Sequence, residues 1–297
     1  MKETFRLGAW QAIALLSLPG LSLAGCKPFT SPPSTQRDRQ RDSAIARVSL
    51  TISAAASLQN VLSEIEPLFR AAHPDIEIFY NWGGSGALQR QIEQGAPPDL
   101  FFPAGTTHMQ QLIRKGHVSH QDPAVLGNRL VLIVPKHSQV EGFADLTTVE
   151  RIAVGEFRAV PAGQYAQATL KQLNLLSKLE RQLVFFNSVR GVLAAVESGN
   201  AAAGLVYETD ALLSKRIKVV AMAPASTHPP IRYPIAVLKG SSQPNAAQQY
   251  IAFLSTPTAI ETFERFGFRH TDHPSSSTPS KPPLSNNRQT NTPDNNR

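Results

Sequence analysis

A glycine-rich turn between a strand and a helix is the first segment of this sequence that could do chemistry. In residues 81–102, NWGGSGALQRQIEQGAPPDLFF, an apolar run ends at Gly83 and Gly84, and Ser85 follows just before a short amphipathic helix. Such a turn places unpaired N–H groups at a helix N-terminus, where the helix dipole favours an anion. The glycines would let a ligand approach the backbone, and Ser85 would add a hydroxyl donor. The pattern predicts an anion-binding cradle, although Gly-Gly-Ser-Gly is also an ordinary turn.

Three further segments repeat this order of strand, turn of small or polar residues, and helix. They lie at Ser57, at residues 162–163 and at residues 189–191. Open α/β sheets bind ligands beyond the carboxyl ends of their strands, so these helix N-termini would converge at one place. They would hold a small anion through neutral N–H and O–H donors, with dipoles rather than a salt bridge balancing the charge. Ser57 itself is expected at the N-cap of its helix, where such a serine usually satisfies a local N–H.

The turns are positioned by the strands and helices around them, and along the chain these strands and helices alternate almost throughout. Predicted strands fall at residues 48–52, 76–80, 128–135, 152–154, 183–186, 203–207, 218–221 and 233–238, with one more at the end of the segment 81–102. Predicted helices fall at 58–69, 88–93, 107–115, 164–175, 192–198, 246–254 and 258–266. The alternation favours α/β lobes with mixed, mostly parallel sheets flanked by helices.

Two apolar strands, each flanked by proline, bracket a contiguous α/β block. We therefore expect a first lobe formed by residues 47–128 with 232–270, and a second lobe formed by residues 129–231. The strands at residues 129–135 and 233–239 are predicted to pair with each other as a hinge.

The composition is that of a globular protein. Of 297 residues, 41% are apolar and 17% are charged, which excludes a fibrous or wholly disordered chain. Residues 47–270 carry 20 Lys and Arg against 17 Asp and Glu, so only +3 of the formal charge of +7 lies there. No basic block with interleaved aromatic residues accompanies this charge, so nucleic acid is not an expected partner. The eight His residues and one Cys show no zinc-ligand spacing and allow no internal disulfide.

The two ends of the chain read differently from its body. Residues 1–25 combine Lys and Arg with a short apolar segment and predict a lipoprotein signal peptide, because Leu-Ala-Gly-Cys ending at Cys26 resembles a bacterial lipobox. Cys26 would carry the lipid that anchors the protein to a membrane. Residues 26–46 predict a disordered tether, and residues 271–297 a disordered tail, because neither contains enough apolar surface to fold.

Six ordered segments together resemble the molybdate-binding component of bacterial ABC transporters. They are AAASL at residues 54–58, the Ser85 turn followed by RQIEQGAPPDLF at 90–101, GNRL at 127–130, VPAGQYA at 160–166, VRG at 189–191 and GLVY at 204–207. The resemblance covers about residues 47–270. It implies a two-lobed type II periplasmic-binding-protein fold with the ligand in a cleft at the hinge.

The resemblance also implies a function and a set of contacts. The protein would be a periplasmic, membrane-anchored, monomeric binding protein and not an enzyme, with no cofactor and no metal beyond the oxyanion. It would deliver molybdate, and tungstate with it, to the permease subunits. The implied ligand contacts are Ser57, Ser85, Ala162, Val189 and Tyr207.

The sequence departs from the family pattern at two places. Ser188 stands where an acidic residue or Asn often precedes Val-Arg-Gly, and Pro-Ala-Gly at residues 103–105 replaces a more polar helix start. Neither departure is expected to touch a ligand contact. Arg190 is likewise excluded as a contact, because a neutral site is easier to desolvate than one that buries an unpaired cation; it is expected to pair with a carboxylate or to cap structure.

Two alternatives remain open at this point. The segment at residues 83–87 is close to a nucleophile elbow, so a serine α/β-hydrolase using Ser85 is conceivable, but its acid would have to precede His228, His270 or His273. A binding protein for another oxyanion or for ferric iron is the nearer alternative. Ferric sites of this fold class use Tyr, His and carboxylates, whereas the implied contacts include one Tyr and no acid.

Overall fold

The computed structural model describes residues 47–270, apart from the side chains of residues 123–125. All of the described residues belong to one compact unit. None of the helices in this range has the length and apolarity that crossing a membrane requires. Four of the predicted features lie outside the described residues: the signal peptide (1–25), the Cys26 lipid anchor, the tether (26–46) and the tail (271–297).

Two mixed sheets organise the described residues. Their strands are β1 (Val48–Ala55), β2 (Ile76–Gly83), β3 (Leu100–Phe102), β4 (Val118–Asn128), β5 (Leu130–Pro135), β6 (Ile152–Gly155), β7 (Leu183–Phe186), β8 (Ala203–Tyr207), β9 (Ile217–Met222), β10 (Ile231–Leu238) and β11 (Arg269–His270). The first sheet has the order β11-β4-β10-β3-β1-β2 and the second the order β7-β6-β8-β5-β9. We call the first sheet with its helices the first lobe, and the second sheet with its helices the second lobe.

Helices cover both sheets. They are α1 (Gln59–Ala72), α2 (Ser85–Glu93), α3 (Thr106–Arg114), α4 (Pro161–Gln172), α5 (Leu176–Leu179), α6 (Val189–Glu197), α7 (Glu208–Ala211), α8 (Pro244–Leu254) and α9 (Pro257–Arg265), with 3-10 turns at Ala56–Leu58, Phe143–Thr148 and Ala225–Thr227. Helix α1 shows why they pack: Val61, Leu62, Ile65 and Phe69 form one buried stripe along it. Helices α4–α7 follow strands of the second lobe, and the other helices belong to the first.

Strand β5 is an inner strand of the second sheet, between β8 and β9. Its residues from Leu130 to Val134 are all buried, because neighbouring strands pair with both of its edges and helices cover its faces. It pairs antiparallel with β8 and with β9. The prediction that it pairs with residues 233–239 was therefore wrong.

The true partner of β10 is β4, which the sequence did not predict as a strand before Asn128. The two run antiparallel, and β10 pairs on its other edge with β3. The segment SHQDP at residues 119–123 is polar and contains a proline, so its apolar pattern is too weak to predict a strand. The chain thus crosses between the lobes at Asn128 to Leu130 and again between Met222 and Ile231.

The strands next to the crossings, β4, β5 and β10, determine how many strand pairings are antiparallel. The sheets are mixed, as expected, but only four of the nine strand pairings in the described range are parallel. Every antiparallel pairing involves β4, β5 or β10. The strand and helix alternation on which the prediction rested applies only to the βαβ parts of each lobe.

Candidate functional site

One small cavity between the two lobes brings together all five residues that the resemblance implied as contacts. From the first lobe it is lined by Ala55, Ala56, Ser57, Gly83, Gly84, Ser85 and Ala104, and from the second by Val160, Pro161, Ala162, Ser188, Val189 and Tyr207. Every one of these side chains is uncharged. The cavity volume is about 10 Å³, which is the space of roughly one water molecule.

Three helices begin at the wall of this cavity. Helix α2 starts at Ser85, α4 at Pro161 and α6 at Val189. Helices α4 and α6 therefore begin three residues earlier than predicted, because Pro161 is well suited to a first helical position and Ser188 caps α6 by accepting the N–H of Gly191 at 3.2 Å. The first-turn N–H groups of Ala162 and Val189 consequently precede the helical hydrogen-bond ladder and remain available to a ligand.

Ser57 is not an N-cap, as had been expected, but the middle residue of the 3-10 turn at Ala56–Leu58. Its side chain makes no capping hydrogen bond. Its hydroxyl instead lies 3.4 Å from the hydroxyl of Tyr233, a residue that does not line the cavity. Ser57 is therefore free of the local role that most helix-start serines have.

The backbone of Ala104 connects the hydroxyl groups of Ser85 and Tyr207. Its N–H donates to Ser85 Oγ at 3.0 Å, and its carbonyl accepts from the Tyr207 hydroxyl at 3.0 Å. Burial raises the pKa of Tyr207 well above its usual value, so its phenol keeps its proton. Because Tyr207 and Ala104 belong to different lobes, this contact also joins the lobes.

Ser188 and residues 103–105, where the sequence departs from the family pattern, were not expected near the ligand contacts, but Ser188 and Ala104 both line the cavity. Ala104 holds two of the implied contacts, and Ser188 both caps α6 and lines the wall. The position of these residues directly after strands β3 and β7 was the one signal in the sequence that could have placed them there.

The glycines of the first turn serve the contact between lobes. A Cβ added to Gly84 would lie 2.3 Å from the carbonyl oxygen of Asn187, and one added to Gly86 would lie 2.6 Å from that of Ala159. The N–H of Gly86 donates to the same Ala159 oxygen at 2.8 Å. These two glycines therefore admit the backbone of the opposite lobe, while the predicted approach of a ligand to this turn stays a prediction.

Arg190 pairs with a carboxylate, which confirms that part of the prediction. Its Nε lies 2.7 Å from Asp210 Oδ1, although the N–H is not aligned for a straight hydrogen bond. Asp210 is fully buried, and this burial raises its pKa to about 6, against the opposing pull of Arg190. The guanidinium therefore compensates a charge within the second lobe and does not line the cavity.

A further polar contact between the lobes involves His108 of α3. Its Nδ1 lies 2.7 Å from Gln89 Oε1, and its Nε2 lies 3.3 Å from Gln164 Nε2 on α4. The Gln89 oxygen can only accept and the Gln164 amide nitrogen can only donate, so this geometry fits neutral imidazole with its proton on Nδ1. Burial, reinforced by the nearby Arg90 charge and opposed by Glu93, lowers the pKa of His108 to about 4.

The lining of the cavity limits the chemistry available there. It contains no histidine and no carboxylate, so Ser85 has neither the base nor the acid of a serine hydrolase beside it. Within residues 47–270, no group of three or more His, Cys, Asp or Glu side chains is arranged to hold a metal ion. The arrangement offers neutral hydrogen-bond donors and three helix N-termini, which suit an anion.

Comparisons with known proteins agree with this geometry. A sequence profile described as bacterial extracellular solute-binding protein matches residues 50–269. The chain is 41% identical over 251 residues to the Bacillus subtilis protein named "putative ABC transporter substrate-binding lipoprotein YvgL", covering 84% of this chain and 93% of that protein. It is 36% identical over 228 residues to the molybdate-binding protein ModA of Escherichia coli, covering 74% of this chain and 88% of ModA.

A solved structure shares both the sequence and the fold. It is the substrate binding domain of a "putative molybdenum ABC transporter" from Clostridium difficile, with 42% sequence identity and a TM-score of 0.60. The match covers 75% of this chain and 99% of that chain. The two-lobed architecture described above is therefore the architecture of this group of proteins.

His108 predicts a pH dependence of stability. Its pKa is lower in the folded protein than the value of about 6.5 for an exposed histidine, so the unfolded chain binds more protons and stability falls as the pH drops from about 6.5 towards 4. The shift corresponds to about 3 kcal/mol in full. The free energy of unfolding can be measured with urea for wild type and His108→Gln at pH 7 and pH 4.5. We expect it to fall between the two pH values in wild type and not in the variant.

The comparison with the variant is needed because Asp210 acts in the opposite direction. Its raised pKa stabilises the folded protein as the pH falls through about 6. The difference between the two proteins isolates His108, since Asp210 is common to both. An equal change in both proteins between the two pH values would contradict the account of His108.

Proposed function

Because this chain belongs to the family of bacterial extracellular solute-binding proteins, we propose that it captures molybdate in the cavity between its lobes and delivers it to the permease of an ABC transporter. Tungstate is proposed as a second ligand, since the two anions share charge, shape and nearly the same size. The protein would bind its ligand outside the cytoplasm and release it unchanged, without catalysing a reaction.

The observation that carries this proposal is the convergence of neutral donors from both lobes on one cavity. Ser57 and Ser85 contribute hydroxyl groups from the first lobe, and Ala162 and Val189 contribute N–H groups from the second. The Tyr207 hydroxyl, which donates to the Ala104 carbonyl in this structure, would turn to the ligand when the lobes separate. Each donor to a doubly charged oxyanion makes a charge-assisted hydrogen bond. The starts of α2, α4 and α6 add their dipoles, so no buried cation is needed to balance the ligand.

The size of the cavity implies a movement. A volume of about 10 Å³ does not hold an ion with four oxygens, so the lobes would separate for entry and enclose the ligand in a wider cavity than this one. Within residues 47–270 the chain crosses between the lobes at two places, which suits a hinge motion of two rigid bodies. Molybdate would then be held by closure, with donors from both lobes bonded to it at once.

Other ligands fit this cavity less well. A site made of donors rejects a protonated oxygen, because that oxygen's own proton needs an acceptor, and this disfavours phosphate. Sulfate is smaller than molybdate and would leave some donors unpaired. Ferric iron needs anionic ligands, and none lines the cavity.

Cys26 is proposed as the lipid anchor, a role supported by the lipobox and by the lipoprotein name of the Bacillus subtilis relative. Residues 26–46 would give the binding domain its reach towards the permease. Cys26→Ala is expected to move the protein from the membrane fraction to the soluble fraction of cells that express it. Retention of the variant on membranes to the wild-type degree would contradict the anchor.

Removing single hydroxyl groups tests the site itself. We expect Ser57→Ala, Ser85→Ala and Tyr207→Phe each to weaken molybdate binding about tenfold to a hundredfold, because each loses one charge-assisted bond of roughly 1.5 to 3 kcal/mol. Isothermal titration calorimetry on folded variants measures the change. Ser53→Ala is the matched control: Ser53 is also buried in the first lobe but accepts from Asn81 and does not line the cavity. Wild-type affinity in both Ser57→Ala and Ser85→Ala would refute the site.

Gly84→Ala tests closure separately from the donors. The backbone of Gly84 has φ −68° and ψ 135°, which alanine adopts freely, so the first lobe should fold normally. The added methyl group would collide with Asn187 and hold the lobes apart, so we expect a loss of molybdate affinity of at least about tenfold. Gly240→Ala, where a methyl group meets open space, should bind as wild type does. Equal affinity of the two variants would show that this contact is not part of ligand capture.

A further inference from the structure

A row of buried polar side chains extends from Ser57, and its other members do not line the cavity. The Ser57 hydroxyl faces the hydroxyl of Tyr233 at 3.4 Å, and Asn128 Nδ2 lies 3.1 Å from the same Tyr233 oxygen. Asn128 Nδ2 also lies 2.9 Å from Thr209 Oγ1 of α7. All four side chains are buried, and of the four only Ser57 lines the cavity.

The orientation of the Asn128 amide follows from its neighbours. The N–H of Arg129 donates to Asn128 Oδ1 at 2.9 Å, and a backbone N–H can only donate, so the atom that faces it is the amide oxygen. The amide nitrogen therefore faces Tyr233 and Thr209. It carries two protons and accepts none, so the oxygen of Tyr233 must accept one of them.

This orientation fixes the direction of the next hydrogen bond. Tyr233 has a single proton, and its oxygen is already an acceptor for Asn128, so the proton is available for Ser57 Oγ. Burial raises the pKa of Tyr233, so the phenol keeps that proton. Once Ser57 accepts from Tyr233, its own proton is left for the cavity.

We propose that Asn128 and Tyr233 are positioning residues that orient Ser57 as a hydrogen-bond donor towards the bound oxyanion. The proposal rests on the proposed function, because it concerns the same ligand. Without Asn128, the Ser57 proton could turn towards the Tyr233 oxygen, and without Tyr233 the Ser57 hydroxyl could equally accept a proton from the ligand. With it, Ser57 favours an anion whose oxygens carry no proton.

Ser85 shows the same arrangement in a simpler form. Its oxygen accepts from the backbone N–H of Ala104, which cannot reverse its direction. Ser57 receives instead from a hydroxyl group, which could point either way. The direction at Ser57 therefore depends on Asn128, and Asn128 in turn lies where the chain crosses between the lobes and touches Thr209 of the second lobe.

The test is a double-mutant cycle on the full chain, measured by calorimetry with molybdate. Tyr233→Phe keeps the ring that packs against Tyr207 and Phe268, so the core should remain intact. The contact of 3.4 Å is long for two hydroxyl groups, so we expect Tyr233→Phe to weaken binding by about twofold to tenfold. In the Ser57→Ala background, the same substitution should change the affinity hardly at all.

Two further measurements separate positioning from a structural role. Asn128→Ala should lower molybdate affinity in wild type but not in the Ser57→Ala background. In competition titrations, Tyr233→Phe should reduce the preference for molybdate over phosphate, because an unconstrained Ser57 can accept the phosphate proton. A loss in either variant that is the same with and without Ser57, or an unchanged preference, would overturn the proposal.

Molybdate binding by wild type separates a failure of the positioning role from a failure of the proposed function. If wild type binds molybdate and the cycle shows no coupling, only the positioning role is refuted. If wild type binds none of molybdate, tungstate, sulfate and phosphate, the proposed function fails, and the positioning role fails with it.

Discussion

The close approach of two backbones at Gly84 and Gly86 is the constraint on which the rest of the structure depends. A side chain at either position would meet a carbonyl oxygen of the opposite lobe at 2.3 to 2.6 Å, so only glycine lets the lobes meet there. That contact brings the starts of α2, α4 and α6 to one cavity. Donors separated by about 100 residues in the chain, such as Ser85 and Val189, can then act on one small ion.

A second principle follows from the neutrality of that cavity. A buried unpaired cation would be costly whenever the ligand left, whereas N–H and O–H groups lose far less when they are exposed to water between binding events. The charged group of Arg190, which follows the cavity residue Val189, pairs with Asp210 and does not line the cavity. Tyr207, Ala104 and Ser85 form one hydrogen-bonded series across the lobes, so the groups proposed to bind the ligand also hold the lobes together.

The sequence predicted the parts of this account that depend on local patterns. The α/β class and the turns after strands came from local patterns, and the five cavity residues came from the resemblance of six short segments to the molybdate-binding family. Contacts between distant segments were not predictable: Tyr233 lies 176 residues from Ser57, and no local pattern links them. Strand β4 was missed because its first half is polar. The starts of α4 and α6 were placed after Gly163 and Gly191, whereas both glycines lie in the first turns of these helices.

A crystal structure of the protein with molybdate, recorded at the molybdenum absorption edge, tests the central claim most directly. The account predicts one strong anomalous peak in the cavity between the lobes, with the oxygens of the anion in hydrogen-bond distance of Ser57 Oγ, Ser85 Oγ and the N–H groups of Ala162 and Val189. No charged side chain should contact the anion. A peak outside this cavity, or an anion held by arginine or lysine, would contradict it.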